Sequence, residues 1–240
     1  MMQLRTEILL VAAFSCLASG NSFAGALTNQ TELGVVSTAG NSRSTTFHLK
    51  QENALERGPQ TIKLAAATLS TTTNDILSAR SWMLGFRYER TLMPPWSIYL
   101  GQEVESNRFA GFQQRYNSDL GAKGALIKRQ EQTLTAEVGY RYTVENGILG
   151  EQQKHGYLRA FSEASREFRK NVSGKLAVEY LPRFSDFGDY RMNLEPSLNA
   201  MLSEILSLKV GYEVHFINRP LAGAAYKTDS VFSTALVAKF

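Results

Sequence analysis

The sequence predicts an all-β fold: a transmembrane antiparallel up-and-down β-barrel of about twelve strands, preceded by a cleaved signal peptide. Three observations carry this prediction. Apolar and polar residues alternate through segment after segment of about ten residues, the length a tilted strand needs to cross a bilayer. The links between segments alternate between short and long. The sequence ends in VFSTALVAKF, whose final ring is in phase with its apolar set.

The first residues, MMQLRTEILLVAAFSCLASGNSFAGA, carry Arg5 in a short polar head, an apolar run from Ile8 to Phe14 trailing to Leu17, and small residues at Ser22, Ala24 and Ala26. This is the pattern of a secretory signal over residues 1–24, cleaved after Ala24 or Ala26, with the barrel domain over 27–240. The run is shorter than the roughly 20 residues of a membrane-spanning helix. The single cysteine, Cys16, falls in this leader, so the exported chain forms no internal disulfide. Lipoprotein processing that retains Cys16 is the alternative; AAFS before it lacks the leucine usual three positions upstream.

Taken in order, the proposed strands begin with the weaker segments TELGVVS, STTFHLKQE and TIKLAAATLS. SWMLGFRYER alternates through Trp82, Leu84, Phe86 and Tyr88, and WSIYLGQEV through Trp96, Ile98, Leu100 and Val104. NSDLGAKGALI follows, again weaker. TLTAEVGYRY sets Leu134, Ala136, Val138, Tyr140 and Tyr142 against Thr135, Glu137, Gly139 and Arg141. GYLRAFSEAS and VSGKLAVEYL are weaker. RMNLEPSLNAML alternates through Met192, Leu194, Leu198, Ala200 and Leu202, although Pro196 interrupts it. LSLKVGYEVHF places Leu206, Leu208, Val210, Tyr212, Val214 and Phe216 at every second position. In the last strand Phe232, Leu236, Ala238 and Phe240 share one side, and Ser233, Ala235, Val237 and Lys239 the other. Ten strands result if two weak segments are loops.

Between the segments, GPQ, MPP, RQE, RKN and SEI are short, whereas TTNDILSA, NRFAGFQQ, ENGILGEQQK, RFSDFGD and NRPLAGAAYKT are longer; TAGNS is brief. Short turns on one rim and longer loops on the other fit an outer-membrane barrel with both termini on the periplasmic side. A mean hydropathy of -0.22 reads as soluble, but half-polar barrel strands average to ordinary values. A soluble secreted all-β binding domain is the alternative, because sandwiches also alternate. The 26 Lys and Arg and 22 Asp and Glu give a net charge of +4 without a basic block, which argues against a nucleic-acid partner.

AGNSRSTTFHLK, NRFAGFQQRYNSDLGAKG and TDSVFSTALVAKF resemble the YdiY-like family of salt-induced outer-membrane proteins of Gram-negative bacteria. The likeness spans nearly the whole exported chain, and its motifs are loose patterns with no chemical signature. The family pattern has an acid where this chain has Asn107. The resemblance implies a barrel in the outer membrane and no established biochemical activity. Phe240 is similar to the carboxy-terminal signal read by the barrel assembly machinery.

Parity places Arg87, Glu89, Glu103, Glu105, Lys123, Glu137, Arg141, Lys175, Glu179, Arg191, Glu195, Lys209 and Glu213 in the lumen. Their signs are interleaved, so they either screen a hydrated pore or pair off across it; no single-sign selectivity ring is visible. An enzyme reading turns on His215, with Glu213 on its face and Asp229 and Ser233 from the neighbouring strand, the residue types of a barrel hydrolase near the outer rim. No G-x-S-x-G string accompanies them. His48 and His155 are isolated, so the sequence offers no metal site and implies no cofactor. Trp82, Tyr88, Trp96, Tyr142, Tyr180 and Phe216 form an interfacial girdle, and Phe109, Phe112, Phe184 and Phe187 fall in outer loops. The expected function is a narrow passive channel or an envelope-integrity component. Its expected partners are outer-membrane lipid and, during biogenesis, periplasmic chaperones and the assembly machinery.

Overall fold

The computed structural model describes residues 25–38, 44–220 and 226–240. The signal segment and Cys16, the TAGNS link and part of the link before the last strand lie outside the described residues. Twelve antiparallel strands follow one another around a closed barrel: β1 (Ala26–Thr38), β2 (Ser44–Arg57), β3 (Gln60–Thr73), β4 (Ile76–Met93), β5 (Trp96–Asn107), β6 (Phe112–Lys128), β7 (Gln132–Gly147), β8 (Gln152–Arg169), β9 (Val172–Arg183), β10 (Asp186–Met201), β11 (Leu206–Ile217) and β12 (Thr228–Lys239). Each pairs with its neighbours in sequence, and β12 closes on β1. Among the described residues all twelve strands belong to one closed barrel, so the sandwich of the soluble alternative is not what they form.

Alternation assigns the two faces. Leu33, Leu84, Phe86, Leu100, Leu120, Val138, Leu176, Leu194, Leu198 and Leu236 are exposed, and the registers set them on the outer face. Leu120 is 60% exposed. In a soluble protein such a belt would be an open apolar surface; around a closed barrel it is the lipid-facing band. The inside is reversed: Glu32, Glu89, Arg115, Asn117, Glu137, Glu145, Arg159 and Glu179 are all buried. Tyr180, Tyr190 and Phe216 run as an aromatic row across the outside of β9, β10 and β11, with ring centroids 5.7 Å apart at each step. Trp96 opens β5 at the opposite rim, so amphipathic rings flank the belt on both sides.

A polar knot interrupts the belt near the barrel closure. Gln51 is fully buried on the outer face; its amide nitrogen donates to Asn29 and Asn53 at 2.8 and 3.1 Å, and its oxygen accepts from Thr31 at 2.6 Å. The knot satisfies itself, as groups facing hydrocarbon must.

Most of the expected long loops are strand instead. Asn74 and Asp75, with φ of 49° and 64°, close β3 onto β4 in two residues, a primed hairpin turn that tolerates these residue types. Beyond it, Ser78 and Thr73 exchange a 3.0 Å hydroxyl bond and Ser78 donates to the Thr71 carbonyl at 3.1 Å. The Ser, Thr, Asn and Asp content that reads as loop therefore continues the ladder beyond the belt. The β5–β6 link is a single 3₁₀ turn, Arg108–Ala110, capped by Asn107, whose side-chain oxygen accepts from the Ala110 amide at 3.0 Å. Among the described strands, β11 and β12 are separated by the most residues. Phe112 is also corrected: it opens β6, is 2% exposed, and lies under the Arg115 guanidinium at 3.7 Å inside the barrel. Phe109, Phe184 and Phe187 stay exposed, with Phe184 against Tyr140.

Pro196 lies within β10 on the outer face, where the β10–β11 ladder skips between Leu194–Val214 and Ser197–Gly211. A residue without an N–H removes one bond from the ladder, and the register survives on either side. The start of β1 and the end of β12 lie at the rim of the shorter turns. There Asn29 and Phe240 exchange backbone hydrogen bonds, each 2.9 Å. The last residue is thus held by its backbone in the closing seam, while its ring is 69% exposed on the outside.

Candidate functional site: the lumen

The inward residues of β3 through β9 build one lattice at mid-height. Glu137 on β7 accepts from Arg87 on β4 at 2.6 and 3.1 Å and from Arg159 on β8 at 2.6 Å. Arg159 continues to Glu179 on β9 at 2.6 Å. Arg141 grips Asp119 on β6 with two bonds of 2.7 Å and reaches Glu179 at 3.4 Å. Glu89 collects Arg87, Lys123 and Lys63 at 2.7, 2.9 and 3.0 Å. Lys63, Arg87, Lys123, Arg141 and Arg159 thus face Glu89, Asp119, Glu137 and Glu179. Each cation has a partner, so the field inside the wall is screened even though the charge density is high.

Small residues make room for the lattice. Tyr99 on β5 is 1% exposed and lies flat along the wall. A Cβ added to Gly121 or Gly139 would fall 2.6 or 2.7 Å from its hydroxyl oxygen, so the two glycines of this register pair exist as the floor under the ring. The Arg87 guanidinium stacks 3.9 Å above the ring, and the Tyr99 hydroxyl accepts from Arg159 at 2.9 Å. The ring positions the two arginines that clasp Glu137.

Above the lattice, toward the rim with the 3₁₀ turn, the lumen holds a cavity of about 430 Å³ lined by residues of both walls. On one wall Arg115 joins Glu105 and Glu145 at 3.1 and 2.9 Å, Arg191 reaches the second Glu145 oxygen at 2.6 Å, and Asn117 donates to Glu103 at 2.9 Å. On the other wall Lys50 lines the cavity and pairs with Glu52 at 2.9 Å; outside that lining, Lys209 on β11 straps across β12 to Glu32 on β1 at 2.8 Å. Lys175 pairs with Glu163 at 2.6 Å, nearer the short-turn rim. The register that pairs Leu194 with Val214 sets Glu195 beside Glu213.

The residues of the enzyme reading separate. His215 pairs with Asp229 across β11 and β12, but Ser233 pairs with Gly211, four residues further along, or about 13 Å at the rise of a strand. His215 Nδ1 is 2.9 Å from the Asn193 side-chain oxygen, and its Nε2 lies 3.8 Å from Glu213. Ser233, the serine of that reading, is therefore not in register to be activated by His215. Arg115, Asp119, Glu145, Arg159 and Tyr99 are central to the lumen and were not singled out by sequence. Arg159 and Phe161 both face inward from GYLRAFSEAS; that mixed inner face is why its alternation reads as weak.

A family model described as "Protein of unknown function, DUF481" matches residues 31–240. The chain belongs to the DUF481 family. This accords with the outer-membrane resemblance read from its sequence motifs. Among solved structures, the DUF481 barrel is similar to the COG4313 outer membrane channel from Pseudomonas putida F1, at 8% identity and a TM-score of 0.55, over 93% of this chain and 98% of that one. The likeness is one of fold. The KdgM porin aligns at 10% identity and a TM-score of 0.48, over 89% of this chain and 99% of that one, and the NanC porin at the same identity and score, over 89% and 98%. A search of curated proteins finds no match.

Proposed function

We propose that this DUF481 barrel sits in the outer membrane of a Gram-negative bacterium and acts as a narrow passive channel for small hydrophilic solutes. Residues 1–24 serve as its export signal, and both termini face the periplasm. One observation carries the reading: a polar cavity inside the apolar belt, floored by a lattice in which cations and carboxylates alternate around the wall. Such a wall keeps water in the bore and favours neither ion sign strongly. The exposed Phe240 ring, held at the closing seam, is the assembly signal in this reading, and outer-membrane lipid is the partner of the belt.

Reconstitution into a planar bilayer tests the function. Small, stable unitary steps with weak ion preference are the expected result. A folded barrel that stays silent across the voltage range overturns the channel and leaves an envelope-integrity role. Fractionation of the native protein with the periplasm, without detergent, overturns the location.

A further inference from the structure

The closure between β1 and β12 is paired over only part of its length. The ladder runs from Gln30–Lys239 to Leu33–Leu236 and stops, although β1 continues to Thr38 and β12 begins at Thr228. Among the described residues, the β1–β12 register continues no further. Gly34 is the first β1 residue past the ladder, and the β12 backbone still lies against it: an added Cβ would fall 2.6 Å from the Thr234 carbonyl oxygen. Below Gly34 the seam is fastened by the Lys209–Glu32 strap inside and, at its end, by the backbone bonds between Asn29 and Phe240.

The unpaired stretch lies within the belt. Val35 and Phe232, which flank it outside, are 62% and 63% exposed, and Phe232 pairs with Tyr212 below the Phe216 end of the aromatic row. Open strand edges are costly against hydrocarbon and persist where they border a water-filled cavity. Such a cavity is present: Asp229, Val231 and Ser233, on the β12 side of the split, line it, as does His48 on β2. His48 is the β2 partner of Gly34, and its Nδ1 is buried without a hydrogen-bond partner. Asp229 lies on the inner face of β12 beyond Val231 and Ser233, Glu213 pairs with Val231, and Glu195 stands beside Glu213; among the described residues none of the three is ion-paired to a lysine or arginine.

We propose that the upper half of the β1–β12 seam is a lateral portal through which a long-chain alkyl amine of the surrounding leaflet places its head group in the lumen cavity, its tail remaining in the bilayer. The opening admits the chain sideways, and the unpaired carboxylates and histidines at the inner mouth receive the ammonium. The proposal depends on the barrel and its belt, and not on conduction.

Photolabelling tests it, with a diazirine-bearing dodecylamine added to the barrel in lipid nanodiscs and labelled peptides mapped by mass spectrometry. Labels are expected on lumen residues near His48 and Asp229 as well as on the outer belt. Two closures are compared: Val36→Cys with Ser233→Cys, which continue the seam register, joined by a short bismaleimide; and Ser233→Trp, which fills the mouth without a crosslink. Loss of lumen labelling in either, with belt labelling retained, supports the portal. Lumen labelling that survives both closures, or that a tail-less amine matches in the open protein, overturns it. Equal lumen labelling by a diazirine-bearing dodecanoate overturns the choice of an amine.

Discussion

Glu137→Gln tests the lattice most directly. The substitution keeps the side-chain volume and one acceptor oxygen but removes the charge that receives three arginine bonds, at 2.6, 2.6 and 3.1 Å. Glu137 is almost fully buried, with 4% of its side chain exposed, and Arg159 is close to it at 7%. Removing one partner of a buried pair costs about 3–5 kcal/mol. Here Arg87 keeps Glu89 at 2.7 Å and Arg159 keeps Glu179 at 2.6 Å, which places the expected loss at the low end, about 3 kcal/mol. Denaturant unfolding of the barrel refolded into vesicles, followed by the fluorescence of Trp82 and Trp96, reads the loss. Glu56→Gln, at an exposed rim position, serves as control and should change stability by less than about 0.5 kcal/mol. A double-mutant cycle with Arg87→Gln should return a coupling of at least about 1.5 kcal/mol. If Glu137→Gln behaves like Glu56→Gln and the coupling vanishes, the lattice is a set of water-screened pairs and the reasoning from burial fails.

Other outcomes follow from the same geometry. Tyr99→Ala removes the ring between Arg87 and the Gly121–Gly139 floor and should cost about 3–5 kcal/mol in the same unfolding assay. Gly139→Ala, whose added Cβ meets Tyr99 and the Leu120 carbonyl, should cost about 1–3 kcal/mol, and less when Tyr99 is already alanine. Leu120→Arg puts a cation in the belt and should destabilise by about 2–4 kcal/mol in vesicles; a neutral outcome would mean that Leu120 meets water. Phe240→Ala should leave the refolded barrel within about 1 kcal/mol of the parent, because the ring packs against little, yet lower the amount assembled in the outer membrane on fractionation. In the bilayer, Glu137→Gln should shift the reversal potential toward anions, since it raises the excess of lattice cations over carboxylates from one to two.

Strand identity and inward and outward parity were legible in the sequence, because a strand repeats every two residues and needs no knowledge of its neighbours. The inward assignment of Arg87, Glu89, Glu137, Arg141 and Glu179 comes from that local period. Hairpin length was not: Asn74–Asp75 closes in two residues because a turn and an extended hydroxyl ladder have similar compositions, and only cross-strand partners such as Thr73 and Ser78 distinguish them. The lattice, the seat of Tyr99 on two glycines and the separation of Ser233 from His215 depend on register between strands as much as on the strands themselves. So does the split seam at Gly34, which joins the two ends of the chain. Such pairings are set by how twelve strands share one circumference, a sum over all the ladders that no single segment carries.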